Sequence, residues 1–360
     1  MSLPRLRQTI RDFYCDHNAF TAQQGTGLLS DVFPNTFTPS VGHPEAIQAV
    51  RCDPIPRLRN LIQDICFRAV DLNRVGFGPH LSLFEMSVSL WITDFCRENC
   101  VAEIERTFTN LVDALHLEPR NVLVTIYPGG GMIDTPIEAD DWSRDAWCRL
   151  GIPPDNIIPA PGNACVLVPD TAGEPAGIRS EVFYRPATGA PPFEIATLEF
   201  LQYRMADSKG RKFLEVLPSC TGLCATAYGL ERLEVAICSL DSIFDVEEVR
   251  VVLERVVDQA ACPAFYAVQP YPFRVVADAY RAVTAILRAG QPLDQSRRGQ
   301  IARNVVGRIR RGIAELGMQP CHMIQALLTQ EELQSDWASV LLGAISAGTC
   351  PRGGDHSEHR

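Results

Sequence analysis

The sequence predicts an α+β fold in which an antiparallel sheet flanked by helices is followed by an all-α domain. The chain of 360 residues is 46% hydrophobic and 21% charged, which is the balance of a globular protein with a substantial core. Strand-like and helix-like segments follow one another as far as about residue 240 without the regular βαβ rhythm of a parallel sheet. Beyond that point the long segments keep the 3.6-residue spacing of helices.

These observations divide the chain into three parts. We expect the sheet domain at 1–240, the helical domain at 241–348 and a tail at 349–360. The tail is expected to be disordered because TCPRGGDHSEHR has little apolar surface to bury.

The elements of the first half follow from apolar spacing and from turn residues. Leu6, Ile10, Phe13 and Tyr14 recur at helical spacing, whereas NVLVTIY is a β-branched run that Pro128 ends. In order, we expect a helix at 5–20, a loop at 23–44, a helix and then an apolar run at 57–70, a strand at 81–94, a helix at 98–117 and a strand at 121–127.

Three glycines at 129–131 could suggest a phosphate-binding loop. The GxxxxGK[ST] pattern is absent and the following residues are acidic, so a hairpin or loop insertion is expected instead. Further on we expect a helix at 140–150, strands at 164–168, 181–184, 194–204 and 213–217, and helices at 247–261, 273–289 and 297–316.

Charge and composition narrow the function classes. A net charge of −10 argues against a protein that coats nucleic acid non-specifically, although nine arginines against two acids lie between Arg274 and Arg311. No apolar run is long enough to span a membrane, and the charged N-terminus lacks a signal core, so we expect a cytoplasmic protein.

The thirteen cysteines predict neither disulfides nor a structural metal. They are odd in number and scattered, and many lie in apolar runs, which is typical of buried reduced thiols. The CxxxC pairs Cys96/Cys100 and Cys220/Cys224 lack the further pair that a zinc site needs.

Several segments in one order resemble the alanyl-tRNA synthetase family of class II aminoacyl-tRNA synthetases. HLSLFEM is similar to the family's HHTFFEM, and TAYGLERL to TGMGLERL. The other matching segments are LRQTIRDFY, FRAVDLNRVGF, DDWSRDAWCRLGIPPDNII, RSEVFY, EIATLEFLQY, RVVADAYRA and RRGQIARNVVGRIRRGI. The resemblance extends to about residue 345 and implies a truncated paralogue, with a class II catalytic core and acceptor-stem-binding helices but without the editing and C-terminal regions.

The resemblance implies a site for ATP and Mg²⁺ on the sheet. Arg232 matches the motif 3 arginine and is the expected catalytic cation, with Gly229 in the same motif. Glu85 and His80, in HLSLFEM, are expected to contact the nucleotide, Glu85 with a catalytic role. The alternative for Glu85 is a salt bridge at the end of its strand. Pro79 stands where the family has an arginine before HHTFFEM, so Arg68 or Arg74 would have to replace it.

The implied amino-acid pocket differs from that of the family. Glu181 and Glu194 are kept and would hold metal or orient the pocket. Ala225 stands where the family has an Asp that takes the substrate ammonium, Thr197 where it has Asn, and Glu199 where it has Val. Glu199 would favour a polar or cationic substrate group if it points inward, because an unpaired buried charge costs several kcal/mol. It would have no such effect if it faces outward.

The helical part carries the expected RNA contacts. Gln295 falls near the family's Asn that helps read the acceptor stem. The arginines expected to neutralise phosphates are Arg297, Arg298, Arg303, Arg310 and Arg311, and the alternative is a solvated helix face.

Three functions remain open at this point. The first is an ATP-dependent ligase that activates an amino acid and transfers it to tRNA. The second is a ligase that uses a carrier protein or a small amine as acceptor. The third is a non-catalytic paralogue that binds RNA or protein. The sequence leaves the amino acid and the oligomeric state undetermined.

Overall fold

The computed structural model describes residues 1–132, 135–187 and 189–347. The chain forms two compact units. The first consists of the described residues within 1–33, 38–67 and 84–246, and the second of 34–37, 68–83 and 247–347. The second unit thus starts close to the expected boundary at 240 but takes in two segments that the sequence analysis assigned to the first domain. The expected tail at 349–360 lies outside the described residues.

Within the described residues, twelve strands and eleven α-helices form these units. The strands are β1 (Thr21–Gln24), β2 (Leu58–Phe67), β3 (Leu83–Asp94), β4 (Val122–Ile126), β5 (Gly130–Met132), β6 (Thr135–Ile137), β7 (Ile157–Pro159), β8 (Val166–Leu167), β9 (Pro175–Tyr184), β10 (Phe193–Ser208), β11 (Arg211–Val216) and β12 (Thr221–Gly229). The helices are α1 (Leu3–Asn18), α2 (His43–Val50), α3 (Arg97–Thr109), α4 (Asp141–Arg149), α5 (Gly162–Cys165), α6 (Leu230–Cys238), α7 (Glu247–Gln259), α8 (Tyr271–Arg288), α9 (Arg297–Glu315), α10 (Pro320–Leu327) and α11 (Asp336–Ser346).

A ten-stranded sheet forms the centre of the first unit. Its order is β1-β2-β3-β12-β10-β9-β4-β7, with β11 added to β10 and β8 added to β9. The neighbours from β3 to β4 run antiparallel, whereas β1–β2 and β4–β7 at the two edges are parallel pairs. The expected α+β class, with an antiparallel sheet flanked by helices, is confirmed.

Several local expectations were wrong. Residues 57–70 were expected to begin as a helix and to continue as an apolar run. Most of them form β2 instead, in which Leu61 and Ile62 are both fully buried. A strand with apolar contacts on both faces does not need to alternate, and its pattern then imitates a helix. The expected strand at 164–168 is a short helix followed by β8, and the expected loop at 23–44 includes the end of β1 and the start of α2.

The sheet has two different faces. On one face α2 packs over an apolar cluster that includes Val88, Leu90 and Ala225. On the other face lie α1 and α3, whose side chains Tyr14 and Thr107 bond to Tyr228 and Thr226 of β12. Successive residues of a strand point to opposite faces, so the motif TAYGLERL contributes alternately to each.

The glycine run at 129–131 lies in a short hairpin. β5 and β6 pair antiparallel, with Gly130 opposite Ile137, which agrees with the expected hairpin rather than a phosphate loop. Gly129 and Gly130 have φ of +91° and +127°, conformations that residues with a Cβ rarely adopt. The following helix α4 is capped by the Asp140 side chain, which accepts from the Ser143 N–H.

The second unit is built from α7 to α11. Helix α8 buries most of its length, and α9 places Ala302, Val305, Ile309 and Ile313 on its buried side. The Ser296 side chain caps α9 by accepting from the Gly299 N–H. None of the helices in residues 1–132, 135–187 and 189–347 combines the length and apolar character that crossing a membrane needs.

Candidate active site

The neighbouring strands β9 and β10 bring polar side chains to the α2-covered face of the sheet. Thr197 lies directly opposite Glu181 on β9 and Ala227 on β12. Two residues further along β10, Glu199 lies opposite Arg179 and Ala225. Directly opposed residues of antiparallel strands share a face, as do residues two apart on one strand. Glu199 therefore lies on the same face as Glu181, which is the inward alternative of the sequence analysis.

Hydrogen bonds join these residues to the start of α6. The Thr197 hydroxyl donates to Glu181 Oε2 at 2.6 Å and lies 3.3 Å from Glu194 Oε1. Arg232 donates to the carbonyl oxygen and the Oε2 of Glu194, at 3.2 and 3.1 Å. Arg179 Nε lies 3.4 Å from Glu181 Oε1. We call Arg179, Glu181, Glu194, Thr197 and Arg232 the carboxylate–arginine cluster.

The electrostatics of this cluster are dominated by crowded carboxylates. Burial, and next the negative charge of Glu194, raise the pKa of Glu181 to about 7, although the Thr197 hydroxyl and Arg179 partly offset the rise. Glu199 raises it further through its charge. A cation placed among these carboxylates would be stabilised, because it would relieve their mutual repulsion.

Arg232 is placed by the junction of β12 and α6. Gly229 ends the strand opposite Met86 and precedes the first residue of α6, so Arg232 lies in the first turn. Glu231 accepts two bonds from the Glu85 N–H, at 3.1 and 3.0 Å, and ties this turn to β3. A Cβ at Gly229 would meet only the Arg232 side chain, at 4.0 Å.

Glu85 is not brought into the cluster. Along β3 it alternates with Phe84 and Met86, which pack on the α2-covered face, so its side chain lies on the opposite face. There Arg7 of α1 donates to Glu85 Oε2 at 2.7 Å. Its expected contact with the nucleotide remains a prediction.

A buried polar network lies on the α1- and α3-covered face. Ser89 and Thr226 each donate to Glu103 Oε1, at 2.7 and 2.8 Å, and Arg106 pairs with the same carboxylate. Burial raises the pKa of Glu103, while Arg106 and the two hydroxyls lower it. Tyr14 and Tyr228 join the same side of the strand through a 2.7 Å bond between their hydroxyls.

The other expected nucleotide contacts belong to the second unit. Arg68 follows β2, and its N–H donates to the Ser82 carbonyl at 2.9 Å. The His80 N–H donates to the Gly78 carbonyl at 3.0 Å. Their roles in ATP binding remain predictions.

The expected RNA-contacting arginines differ in their engagement. Arg298 donates to the Thr36 carbonyl at 2.7 Å, and Arg303 donates to the Leu293 carbonyl and to Gln300. Gln295, Arg297 and Arg311 are exposed, whereas Arg310 is half-buried.

Sequence reasoning did not single out Arg179. Arg179 lies two residues before Glu181, outside the expected strand at 181–184, but β9 begins at Pro175 and so places both side chains on one face. Glu103 was also missed, because an acidic residue in an amphipathic helix carries no mark of burial. In the part of the chain that the structure describes, His, Cys, Asp and Glu side chains do not gather in groups of three or more that could hold a metal ion.

The chain is similar to alanine–tRNA ligases over most of its length. It is 27% identical to that of Treponema pallidum (strain Nichols) over 371 residues, covering 96% of this chain and 57% of the relative. It is 26% identical to that of Leifsonia xyli subsp. xyli (strain CTCB07), covering 74% and 31%, and 26% identical to that of Clavibacter sepedonicus, covering 85% and 35%. The chain thus spans about half or less of the length of these curated relatives. The resemblance that the motifs indicated is confirmed.

No family model matches the chain. Among solved structures, apo histidyl-tRNA synthetase of S. aureus has a TM-score of 0.42 at 11% identity, covering 71% of this chain and 76% of that one. The RNA binding domain of threonyl-tRNA synthetase from Cryptosporidium parvum Iowa II has a TM-score of 0.43 at 13% identity, covering 65% and 64%.

Proposed function

We propose that this protein activates an amino acid with ATP and transfers the aminoacyl group to tRNA. The observation that carries the proposal is the carboxylate–arginine cluster on an antiparallel sheet, within a chain similar to alanine–tRNA ligases. In the reaction, a carboxylate oxygen of the amino acid attacks the α-phosphorus of ATP. The bond to the β-phosphate oxygen breaks, pyrophosphate leaves, and a mixed anhydride forms.

We assign to Arg232 the stabilisation of the α-phosphate of ATP during this attack. The attack increases negative charge on the α-phosphate oxygens, and a fixed guanidinium lowers the energy of that state. Glu194 orients Arg232 through the two bonds at 3.2 and 3.1 Å, so the cation needs little reorganisation when ATP binds. Mg²⁺ would come with the triphosphate, which supplies oxygen ligands of its own, and it would neutralise phosphate charge.

The charges of the carboxylate–arginine cluster favour an amino acid other than alanine as the substrate. Glu181, Glu194 and Glu199 supply three carboxylates on or beside this face, against two guanidiniums from Arg179 and Arg232. The excess negative charge favours an ammonium group. Glu199, opposite the small Ala225, favours a second polar or cationic group on the substrate.

A carrier protein or a small amine is a second candidate for the molecule that accepts the aminoacyl group. The exposed Arg297 and Arg311 fit acceptor-stem phosphates, which require charge and little sequence information. Arg298 and Arg303, however, already bond within the protein, and this favours keeping a carrier protein or small amine as the alternative acceptor.

Exchange of labelled pyrophosphate into ATP tests activation without any acceptor. The proteinogenic amino acids and short diamino acids would be pooled and then separated. The compared proteins are wild type, Arg232→Ala and the control Arg204→Ala, which removes an arginine paired with Glu215 elsewhere on the same sheet. We expect exchange with at least one amino acid, a loss of 100-fold or more in Arg232→Ala, and little change in the control.

Two outcomes would contradict the proposal. Absence of exchange together with absence of ATP binding by calorimetry would leave the non-catalytic alternative, in which the chain binds RNA or protein. Equal losses in Arg232→Ala and Arg204→Ala would show that Arg232 has no special role. Glu199→Gln sharpens the substrate assignment, since it should reduce exchange with a cationic amino acid far more than exchange with a neutral one.

A further inference from the structure

An exposed aromatic pair on the second unit has no role in the activity described so far. The Phe77 ring stacks on the Tyr271 ring, with centroids 4.6 Å apart and planes at 29°. Phe77 is nevertheless 63% exposed, because Tyr271 covers only one side of its ring. An exposed apolar side chain is not unusual by itself, but a stacked aromatic pair with an open ring face offers a flat surface to a further planar ring.

The local backbone is built to present this ring. The Phe77 N–H donates to the Arg74 carbonyl at 3.1 Å, closing a tight turn, and Gly76 within it has φ of +92°. A Cβ at Gly76 would lie 2.6 Å from the Tyr271 ring, so only glycine allows the close approach. Val75 is 1% exposed and anchors the turn in the core of the unit.

Arginines border the aromatic pair. The Arg74 side chain, three residues before Phe77, is 67% exposed and lies 3.6 Å from Asp71. Arg308 of α9 donates to Asn73 at 3.1 Å, which brings a second guanidinium to the same segment. At Gly312, one turn further along α9, an added Cβ would lie 3.5 Å from the carbonyl oxygen of Pro272, the neighbour of Tyr271.

We propose that Phe77 and Tyr271 form a stacking platform for an unpaired nucleotide at the end of an RNA duplex, with Arg74 and Arg308 beside its phosphates. A base would continue the Tyr271–Phe77 stack on the open side of Phe77. Flat aromatic rings next to guanidiniums suit single-stranded RNA, in which bases stack and phosphates need positive charge. The inference rests on the proposed transfer to RNA, but its test needs no catalysis.

The geometry favours RNA over an acidic protein. An acidic helix docks by filling an apolar groove with several side chains, whereas this site offers one exposed ring supported by a second. Offset stacking at 29° is an arrangement that another planar ring extends.

Binding of short RNA hairpins tests the platform. Fluorescence anisotropy would compare a blunt hairpin with the same hairpin carrying a four-nucleotide 3′ overhang, for wild type, Phe77→Ala and the control Val70→Ala. Val70 lies in the same segment and is 84% exposed, so the control removes an exposed apolar side chain without removing a ring. We expect wild type to bind the overhang hairpin roughly tenfold more tightly than the blunt one, in line with measured base–aromatic stacking. Phe77→Ala should abolish that difference, and Val70→Ala should keep it.

A second variant reports stacking directly. In Phe77→Trp, the indole emission should be quenched by the overhang hairpin and not by the blunt one. Equal binding of the two hairpins by wild type would overturn the platform, as would an equal loss for both in Phe77→Ala. Absence of any RNA binding, or binding of an acidic carrier protein that Phe77→Ala weakens, would also overturn it. Pyrophosphate exchange is unaffected by these results, so activation would stand or fall separately.

Discussion

The two faces of the central sheet both hold a glutamate whose pKa is raised, yet the two glutamates are placed very differently. Glu103 is fully buried between α3 and the sheet, where Arg106, Ser89 and Thr226 satisfy its carboxylate. Glu181 keeps part of its surface exposed among Glu194, Glu199 and Arg179, and a carboxylate neighbour contributes to its raised pKa. The Glu103 carboxylate finds its partners within the protein, whereas the carboxylates around Glu181 would gain from an added cation.

This contrast separates a structural site from a candidate binding site within one sheet. A buried carboxylate that is paired and hydrogen-bonded within the protein makes the loss of its partner costly and has no free oxygen for a ligand. A crowded carboxylate group in an open site costs folding energy that a ligand can recover. The alternation of residues along β12 supplies both, since Thr226 faces Glu103 and Ala225 faces Glu199.

The largest expected loss of stability comes from removing the Glu103 carboxylate from its network with Arg106, Ser89 and Thr226. Glu103→Ala leaves Arg106, whose side chain is 9% exposed, without its carboxylate, so the free energy of unfolding should fall by roughly 3–5 kcal/mol. Urea unfolding measures this change. The control Glu118→Ala, in a pair with Arg120 that is exposed on both sides, should change stability by less than about 0.5 kcal/mol. A similar small loss in Glu103→Ala would show that the network does not stabilise the fold.

The next effect is a pH dependence caused by Glu181. Its pKa is about 7 in the folded protein against 4.5 as the ordinary value, so the folded state holds a proton that the unfolded chain releases. Its contribution to stability is therefore full below pH 4.5 and is lost as the pH rises through about 7. At about 1.4 kcal/mol per pKa unit, the loss amounts to roughly 3 kcal/mol by pH 8.

Glu181→Gln removes the ionisation of Glu181 and so isolates its contribution to the pH dependence of stability. Between pH 5 and pH 8 the variant should gain about 2–3 kcal/mol relative to wild type, because glutamine stays neutral throughout. Urea unfolding at several pH values gives the difference. A difference that stays constant with pH would mean that Glu181 ionises normally in the folded protein.

Thr226 and Thr197 lie on opposite faces of the sheet, so removing one hydroxyl from each compares the stability of the two faces. Thr226→Val removes a buried hydroxyl that donates to Glu103 and bonds Thr107, and should cost about 1–3 kcal/mol of stability. Thr197→Val removes a half-buried hydroxyl and should cost less than about 1 kcal/mol, while raising the KM for the amino acid in pyrophosphate exchange. The comparison fails if the two variants lose equal stability, or if Thr226→Val alone changes the KM.

A smaller loss of stability is expected from the Tyr14–Tyr228 hydroxyl pair, which lies beside the Glu103 network. Tyr14→Phe removes one hydroxyl of the 2.7 Å pair with Tyr228 and should cost about 1 kcal/mol. Thermal unfolding should show a modest decrease in Tm with an unchanged pyrophosphate exchange rate. A decrease as large as that of Glu103→Ala would mean that the hydroxyl pair, and not the carboxylate, supports this face.

Much of the candidate site followed from local sequence. The segment EIATLEF is a strand by its alternation, and Thr197 and Glu199 must share a face because they lie two residues apart. The motif TAYGLERL indicated Arg232 as the expected catalytic cation, and the structure places this residue in the first turn of α6. The partners of these residues could not be derived in this way, since Glu181 is 16 positions from Thr197 and Arg232 is 38 positions from Glu194.

The expectation for β2 failed for a related reason. Its apolar residues fit a helix locally, and only pairing with β1 and β3 made the strand the better arrangement. Glu85 likewise has a partner that its motif does not indicate, since the structure pairs it with Arg7, 78 positions away, and its nucleotide contact stays a prediction.

The sequence by itself determined the α+β class, the resemblance to alanine–tRNA ligases and the residue types available for phosphate and ammonium recognition. These depend on periodicity and on short motifs, which act over one element at a time. Only the tertiary structure decided which face of the sheet each side chain occupies relative to the covering helices. It leaves the Glu181 side chain 14% exposed among other carboxylates and buries Glu103 fully. The cause is that burial and pKa depend on neighbours distant in sequence, which strand register and helix packing bring together.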